Sequence, residues 1–328
     1  MFEQKQINLT LPKGWGQCSV AQLETIAQTM ARNEQLAAMS LAPADMTMLK
    51  AQLFFALAGL DVLVPSVDGE KEPCCLCRVH GSKDGTAFNV YAWQVQYWIE
   101  KQLAWLDQPC TGLVMFPYPT LKLHLGWLSR GKMFYGPSAL MQDFSWQRYR
   151  LAQDYLQLYM QQMNALIILM RKNPLRKDNI AATLAMKQQV DDTKAAFLSM
   201  LFTCEHKTMD KDKGEKVKTT AFDLGMTQRN ADWLRHISDT QLQVILFWWS
   251  GMMQYMQTKY PHVYKRSNIK TNEKTNPLEL YARMVATMEK HVGLNEREVN
   301  DENVHVVLQH MEDIGVTNEE MDKINNKH

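Results

Sequence analysis

The sequence predicts a mainly α-helical protein: a helical bundle with a small N-terminal α+β part that contains a short strand and one hairpin. Two observations favour helices. Apolar residues recur at three- and four-residue spacings over most of the chain, and a heptad pattern runs through residues 149–170. Alternation of apolar and polar residues near the N-terminus indicates the strand. Apolar residues make up 46% and charged residues 22% of the 328 residues, which are globular proportions.

The N-terminal part, residues 1–110, is predicted to mix strands and helices. Residues 6–11 alternate between apolar and polar side chains, which predicts a strand. Ser19 and Gln22 have the spacing of a capping box, so a helix is expected to begin there. A second apolar helix follows, and residues 61–72 are interpreted as a polar connection.

The hairpin is predicted from the segments "CCLCRVH" and "TAFNVYAW", which flank "GSKDG". The first segment also contains the weak metal-ligand candidates Cys75, Cys77 and His80. On a strand, Cys75 and Cys77 share a face, whereas Cys74 points away. Structural zinc sites usually draw two ligands from each of two segments, and no second pair is present. We therefore interpret these cysteines as buried apolar residues and expect neither a metal nor another cofactor.

Residues 111–275 are predicted to form a helical bundle with a flexible charged loop near residues 205–218, where the sequence reads "CEHKTMDKDKGEKVK". A long helix is predicted from a heptad pattern, and a second long helix is expected over residues 178–202. Packing within the chain is favoured over an intermolecular coiled coil for the heptad helix. The heptad positions are Tyr149, Ala152, Leu156, Tyr159, Met163, Leu166 and Met170.

The C-terminal segment, residues 276–328, is predicted to be helical and is acidic. Asn276 and Pro277 indicate a helix start. A further helix is expected to end at Gly315, with a last short helix after it.

The most apolar stretch is "QLQVILFWWSGMMQYM", residues 241–256. Its polar interruptions make it too short to span a membrane. Ser238 and Gln241 predict a capped helix that is apolar nearly all round, so it either lies within the core, which is favoured, or meets a partner on one side. The partner-binding candidates are Phe247, Trp248, Met252, Met253 and Met256.

The net charge and the sequence motifs limit the classes of function that we expect for this protein. The formal net charge of +1 gives no general attraction to nucleic acid. The weak candidates for nucleic-acid binding lie in one basic segment, which we interpret as a solvated linker. They are Tyr264, Lys265, Arg266 and Lys270. The common hydrolase, zinc-protease and nucleotide-binding signatures are absent, so we expect no catalytic residue, no enzyme activity and no small-molecule substrate.

The sequence has 22 methionines, and flexible thioether side chains suit a surface that repacks around apolar partners. The first residues show no secretory signal, and the six cysteines do not resemble a disulfide framework. A cytoplasmic protein that acts by protein–protein interaction is therefore expected.

Three segments resemble proteins of the tail-morphogenesis region of tailed phages and prophages. They are "INLTLPKGWGQCSVAQLETIAQ", "YGPSALMQDFSWQRYRLAQDYLQLY" with the following "ALIILMRK", and "NPLELYARMVATMEKHVGL". The resemblance implies a tail-assembly chaperone-like protein that holds apolar helical segments of a tail or tape-measure protein in the host cytoplasm. It also leaves open a structural virion component of the tail, neck or connector that self-assembles. A nucleic-acid-binding protein is a further alternative. No catalytic residue is attached to these segments.

Overall fold

The structure is a computed structural model, and it describes residues 11–40, 46–67, 72–81, 86–125, 130–171, 177–209, 216–265 and 277–325. Within them the protein is mainly α-helical, as predicted, with short strands in small antiparallel sheets. The helices are α1 (Val20–Ser40), α2 (Met46–Leu57), α3 (Ala92–Gln102), α4 (Trp146–Arg171), α5 (Lys177–Leu201), α6 (Thr227–Leu234), α7 (Asp239–Lys259), α8 (Pro261–Tyr264), α9 (Pro277–Val292), α10 (Glu296–Asp301) and α11 (Val304–Asn325). The strands are β1 (Leu60–Val64), β2 (Cys74–Val79), β3 (Phe88–Tyr91), β4 (Thr120–Leu123), β5 (Lys132–Tyr135), β6 (Thr203–Cys204), β7 (His206–Met209) and β8 (Lys216–Thr219).

The chain divides into two compact units, and neither unit is one continuous segment. The domain boundaries expected near residues 110 and 275 stay predictions. The first unit comprises Met1–Pro117 and Ser238–Tyr255, and the second comprises Tyr118–Ile237 and Met256–His328.

A three-stranded antiparallel sheet in the order β1-β2-β3 lies in the first unit. The predicted hairpin is confirmed by the register of β2 and β3, in which Cys75 lies opposite Val90. The connection predicted over residues 61–72 is partly wrong, because β1 occupies its beginning and pairs with β2. The sequence of β1, "LDVLV", contains two valines, and β-branched residues suit a strand.

The capping box at the start of α1 is confirmed. The Ser19 amide donates to Gln22 Oε1 at 2.9 Å, and the Gln22 amide donates to Ser19 Oγ at 3.3 Å. These bonds satisfy two amide groups that have no partner within the helix. The strand predicted over residues 6–11 lies almost wholly outside the described residues.

In the second unit, α4 packs lengthwise against α5, as the heptad pattern predicts. Tyr149, Ala152, Tyr159 and Leu166 are buried. The other heptad positions are less buried toward the end of α4. Leu156 and Met163 are half-buried, and Met170 is exposed.

The prediction of a flexible loop near residues 205–218 is wrong for its described part. Strands β7 and β8 pair antiparallel there, with His206 opposite Thr219. Two short alternating segments, "HKTM" and "KVKT", carry this hairpin. Their charged side chains suggested a loop, but a two-stranded ribbon exposes such side chains as well. Residues 210–215 lie outside the described residues.

A single helix, α11, replaces the two helices that were expected at the C-terminus. It continues through Gly315, where an added Cβ atom would lie 2.7 Å from His262 Cβ. This glycine therefore permits α8 to pack closely against α11, and it does not end the helix. Helix α10 was not predicted, although Asn295 and Glu298 form a capping box at its start. Asn276 lies outside the described residues.

In the part of the chain that the structure describes, every helix is too short or too polar to cross a bilayer.

Candidate protein-interaction site

Helix α7 holds the predicted partner-binding residues, and its start is as predicted. The Ser238 amide donates to Gln241 Oε1 and the Gln241 amide donates to Ser238 Oγ, both at 3.2 Å. The indole Nε1 of Trp248 donates to Val114 O at 3.3 Å, and its ring meets Phe116 edge to face. Helix α7 is therefore a core helix of the first unit, which explains why it is apolar nearly all round.

Four of the five partner-binding candidates are buried: Phe247, Trp248, Met252 and Met256. Met253 is half-buried. Gly251 lets the helix approach the loop at Cys110 and Leu113, whose carbonyl oxygens a Cβ atom would strike. These side chains fit the favoured interpretation, in which α7 is a core helix. The structure gives no support to a partner surface on α7.

The cysteine segment forms strand β2. Cys75 Sγ and Cys77 Sγ lie 3.5 Å apart, so they share a face as expected. Burial raises the pKa of the Cys77 thiol to about 12, which disfavours the thiolate that a metal requires. His80 is exposed and contacts Asp61 Oδ1 at 3.0 Å. Among the described residues, no three His, Cys, Asp or Glu side chains are arranged to hold a metal ion.

The nucleic-acid candidates are only partly described. The hydroxyl groups of Tyr264 and Tyr149 lie 2.7 Å apart in a part-buried hydrogen bond. Lys265 Nζ is exposed and lies 3.7 Å from Glu319 Oε2. Neither side chain is positioned to contact a nucleic-acid phosphate. The Tyr264 hydroxyl is hydrogen-bonded within the second unit, and Lys265 lies beside the carboxylate of Glu319. Arg266 and Lys270 lie outside the described residues.

Two histidines that the sequence analysis did not single out have opposite environments. His262 contacts Glu312 Oε1 through Nδ1 at 2.5 Å and Glu319 Oε2 through Nε2 at 2.8 Å. These hydrogen bonds raise the pKa of His262. His305 donates from Nε2 to Leu140 O at 2.6 Å and accepts from Tyr260 Oη at 2.9 Å. Burial lowers the pKa of His305.

An open depression in the second unit is lined by Asp143, His206, Asp223 and Asp301, among other residues. His206 Nε2 lies 3.7 Å from Asp223 Oδ2. Asp143 accepts from Ser138 Oγ at 2.6 Å and pairs with Arg148. The carboxylate of Asp143 thus has a structural partner on each side, and this depression supports no specific chemistry.

The candidate site is instead the distal half of the α4–α5 hairpin, which we call the helical arm: Gln157–Arg171 and Lys177–Gln189. Of its described side chains, those of Tyr159 and Leu166 are buried, and the others are half-buried or exposed. At 1.5 Å per residue the arm is about 20 Å long. The arm is thus a pair of helices whose outer faces meet little of the second unit.

Large apolar side chains cover the outer faces of the arm. Seven of them are between 41% and 63% exposed, namely Leu158, Met160, Ile167, Ile168, Met170, Ile180 and Leu184. No charged residue occurs from Tyr155 to Met170 or from Asn179 to Met186. A concentration of exposed large apolar side chains on one pair of helices marks a candidate protein or membrane interaction site.

Sequence reasoning missed the arm because the heptad pattern was expected to be buried along its whole length. A signal was available in the same residues. The run "YLQLYMQQMNALIILM" has apolar residues at more positions than one helix–helix contact can bury. The excess apolar positions indicate a second contact face.

Comparisons with protein families, with curated proteins and with solved structures give no significant match to this chain.

Proposed function

We propose that this chain is a non-enzymatic protein of a tailed phage or prophage that acts by protein binding, in the manner of a tail-assembly chaperone. Its client is an apolar helical segment of a tail protein, of the tape-measure type. The observation that carries the proposal is the exposed apolar surface of the helical arm. The phage assignment is supported by the resemblance of the three sequence segments.

The arm favours a helix as its ligand. Its two antiparallel helices leave a groove on each side, and an amphipathic helix lays its apolar face into such a groove. Burying the exposed half of each large apolar side chain stabilises a complex by about 1 kcal/mol. Each such side chain adds to the affinity, because every 1.4 kcal/mol is about tenfold in the dissociation constant, and the sum must exceed the cost of association.

The chemistry of the client follows from the charge of the arm. Since the outer faces carry no charged residue between Tyr155 and Met170, a charged client face would lose its hydration without gaining a partner. The favoured client face is therefore apolar and uncharged. Flexible methionines such as Met160 and Met170 can adapt to clients that differ in shape.

The test is co-expression of the full chain with a tape-measure segment from the same phage or prophage genome, followed by co-purification. Ile168→Glu places a charge on the arm at a side chain that is 55% exposed. Ile324→Glu on α11 is the matched control, since Ile324 is 59% exposed. We expect Ile168→Glu to weaken binding at least tenfold and Ile324→Glu to leave it unchanged.

Two results would contradict the proposed chaperone-like function. One is failure of the unmodified chain to retain the tape-measure segment. The other is recovery of the chain in stoichiometric amounts from mature particles, which would favour the alternative of a structural virion component. A chaperone works in the host cytoplasm, whereas a structural component stays in the virion.

A further inference from the structure

Strand β2 holds two cysteine thiols in direct contact. Cys75 Sγ and Cys77 Sγ lie 3.5 Å apart, and either sulfur can donate its hydrogen to the other. The two side chains differ in burial, because Cys77 is fully buried whereas Cys75 is half-buried. The interpretation of these cysteines as buried apolar residues therefore fits Cys77, but it leaves Cys75 within reach of small solutes. Two thiols in contact, one of them accessible, are the arrangement that oxidants convert to a disulfide.

We propose that Cys75 and Cys77 form a redox-active dithiol, which hydrogen peroxide converts to a disulfide within β2. This site is separate from the helical arm, and it does not depend on the proposed function. Cys75 is the sulfur that reacts with the peroxide, because it is the accessible one. Cys77 is the sulfur that then closes the bridge, because it already contacts Cys75.

The reaction has two steps. In the first step the Cys75 thiolate attacks one peroxide oxygen, the O–O bond breaks, and a sulfenic acid forms on Cys75. The other oxygen leaves as hydroxide and takes up the proton that the Cys75 thiol released. In the second step the Cys77 sulfur attacks the Cys75 sulfur, the S–S bond forms, and the sulfenic oxygen leaves as water with the Cys77 proton. Two thiols and one hydrogen peroxide thus yield one disulfide and two water molecules.

The environment of Cys77 agrees with this order of steps. Burial raises the pKa of the Cys77 thiol to about 12, and the contact with Cys75 adds to the shift. Cys77 is therefore protonated at neutral pH, so it does not compete with Cys75 for the peroxide. In the second step the departing sulfenic oxygen accepts its proton. A sulfur of high pKa is then the stronger nucleophile.

The spacing of the two cysteines permits the bridge. Residues two apart on a strand have Cα atoms about 6.6 Å apart. Disulfides join Cα atoms that are about 4.4–6.8 Å apart, so this pair lies near the upper limit. The two sulfurs must close from 3.5 Å to about 2.05 Å, which requires β2 to bend at Leu76. A bridge near this limit is readily reduced by other thiols, so the modification is reversible.

The neighbouring strand is already irregular at the same place. In the pairing of β1 with β2, Val62 lies opposite Cys77 and Val64 lies opposite Leu76, so the register shifts between them. A bulge of this kind interrupts the hydrogen-bond ladder and increases the local twist. On the β1 side, a bend of β2 at Leu76 therefore disturbs fewer regular hydrogen bonds than it would in an unbroken ladder.

The experiment is a titration of the reduced full chain with hydrogen peroxide. Catalase then removes the peroxide, the chain is unfolded in guanidinium chloride, and its thiols are counted. We expect the number of thiols to fall by two from the six of the reduced chain and to recover after treatment with dithiothreitol. The tryptic peptide 72–78, "EPCCLCR", should lose about 2 Da, the mass of the two thiol hydrogens.

Three variants separate the roles of the cysteines. Cys75→Ser is expected to abolish the loss of two thiols. Cys77→Ser is expected to leave a sulfenic acid on Cys75, which dimedone traps as a covalent adduct. Cys74→Ser is the matched control, since Cys74 is the next residue along β2 and faces the other side of the sheet. This control should lose two thiols as the unmodified chain does.

Five results would each overturn the proposal. They are a native chain that keeps six thiols, a disulfide that persists in Cys75→Ser or Cys77→Ser, a disulfide that Cys74→Ser abolishes, the absence of the dimedone adduct on Cys75, and a disulfide that joins two copies on a non-reducing gel. Circular dichroism checks that every variant keeps its fold. None of these measurements involves the tape-measure segment, so failure of the dithiol and failure of the proposed function are distinguishable.

Discussion

Arg148 places a buried positive charge at the C-terminal end of α5. Its guanidinium donates to Met200 O at 2.7 Å and to Leu201 O at 2.9 Å, and it stacks 3.9 Å from the ring centroid of Phe144. Burial lowers the pKa of Arg148 to about 10, and nearby Asp143 opposes the shift. Arg148 therefore stays charged at neutral pH, and its positive charge interacts favourably with the partial negative charge at the C-terminal end of α5.

We expect Arg148→Met to lower the free energy of unfolding by about 3 kcal/mol, because two buried carbonyl groups lose charge-assisted hydrogen bonds. Urea unfolding measures this change. Arg297→Met serves as the control, since the Arg297 side chain is 87% exposed, and it should change stability by less than about 0.5 kcal/mol. Equal effects of the two substitutions would contradict the role of Arg148.

His262 makes stability depend on pH in a defined direction. The hydrogen bonds that His262 donates to the carboxylates of Glu312 and Glu319 raise its pKa, and Lys265 and Lys323 also face Glu319. The folded state thus favours the charged imidazole. Its contribution to the free energy of unfolding is complete below the unfolded pKa of about 6.5 and is lost as the pH rises through the raised folded pKa.

The corresponding prediction compares the unmodified chain with His262→Gln by urea unfolding at a series of pH values. The difference in stability between the two proteins should be largest in mildly acidic solution and should shrink as the pH rises. His305→Gln provides the contrast. Burial lowers the pKa of His305, so its contribution is present above about pH 6.5 and is lost as the pH falls through the folded pKa. Parallel pH profiles for the two variants would contradict both assignments.

At the scale of single elements, α11 depends on a glycine in its interior. In an exposed helix, replacing glycine by alanine stabilises by roughly 0.5–1 kcal/mol. At Gly315 the new Cβ atom would lie 2.7 Å from His262 Cβ, an atom next to the backbone that cannot rotate away. Because α8 packs on α11 here, replacing this glycine by alanine is expected to lower stability and not to raise it.

We expect Gly315→Ala to destabilise the protein by about 1–3 kcal/mol, the usual cost of overpacking. Thermal and urea unfolding report this change. Gly14→Ala is the control, because an added Cβ atom there meets nothing within 4 Å. A more stable Gly315→Ala variant would show that α8 does not press on α11 at this position.

At the scale of the whole molecule, the first unit is completed by a segment that is distant in sequence. Ser238–Tyr255 belongs to this unit, and it brings the buried side chains of Phe247 and Trp248. The ring centroids of Trp15 and Phe247 are 5.0 Å apart. A fragment that lacks the N-terminal segment therefore exposes the most apolar helix of the chain.

We expect residues 118–328 expressed alone to be largely insoluble, because the α7 residues lose the core that buries them. Co-expression of residues 1–117 as a separate chain should restore solubility and co-purify with the fragment. Soluble yield and pull-down of the tagged fragment provide the measurement. A soluble, monomeric 118–328 fragment would contradict the packing of α7 in the first unit.

Local signals in the sequence predicted many of the elements. The capping boxes at Ser19 and Ser238 and the heptad from Tyr149 depend on residues that are neighbours along one helix, and these predictions are confirmed. The pairing of β1 and the passage of α11 through Gly315 depend on partners far away in sequence. Such tertiary contacts override local preferences, which is why those predictions were wrong.

The candidate site was harder to predict than the fold. The apolar residues of α7 and those of the arm look alike in sequence, since both are long apolar helical runs. Only packing separates them: Trp248 is fully enclosed, whereas Ile168 is more than half exposed. Sequence patterns report that a residue is apolar but not whether the chain has another surface to cover it.

The exposed methionines of the helical arm give it a chemical sensitivity that leucine would not. Met160 and Met170 are exposed, so peroxide can reach their thioether sulfurs. Each sulfoxide is polar and would be desolvated in a helix–helix contact. Oxidation is therefore expected to weaken the binding of an apolar client helix to the arm, while the buried methionines of the core, such as Met252, stay reduced. Methionine sulfoxide reductases can reverse this change, so client binding by the arm would follow the oxidative state of its surroundings.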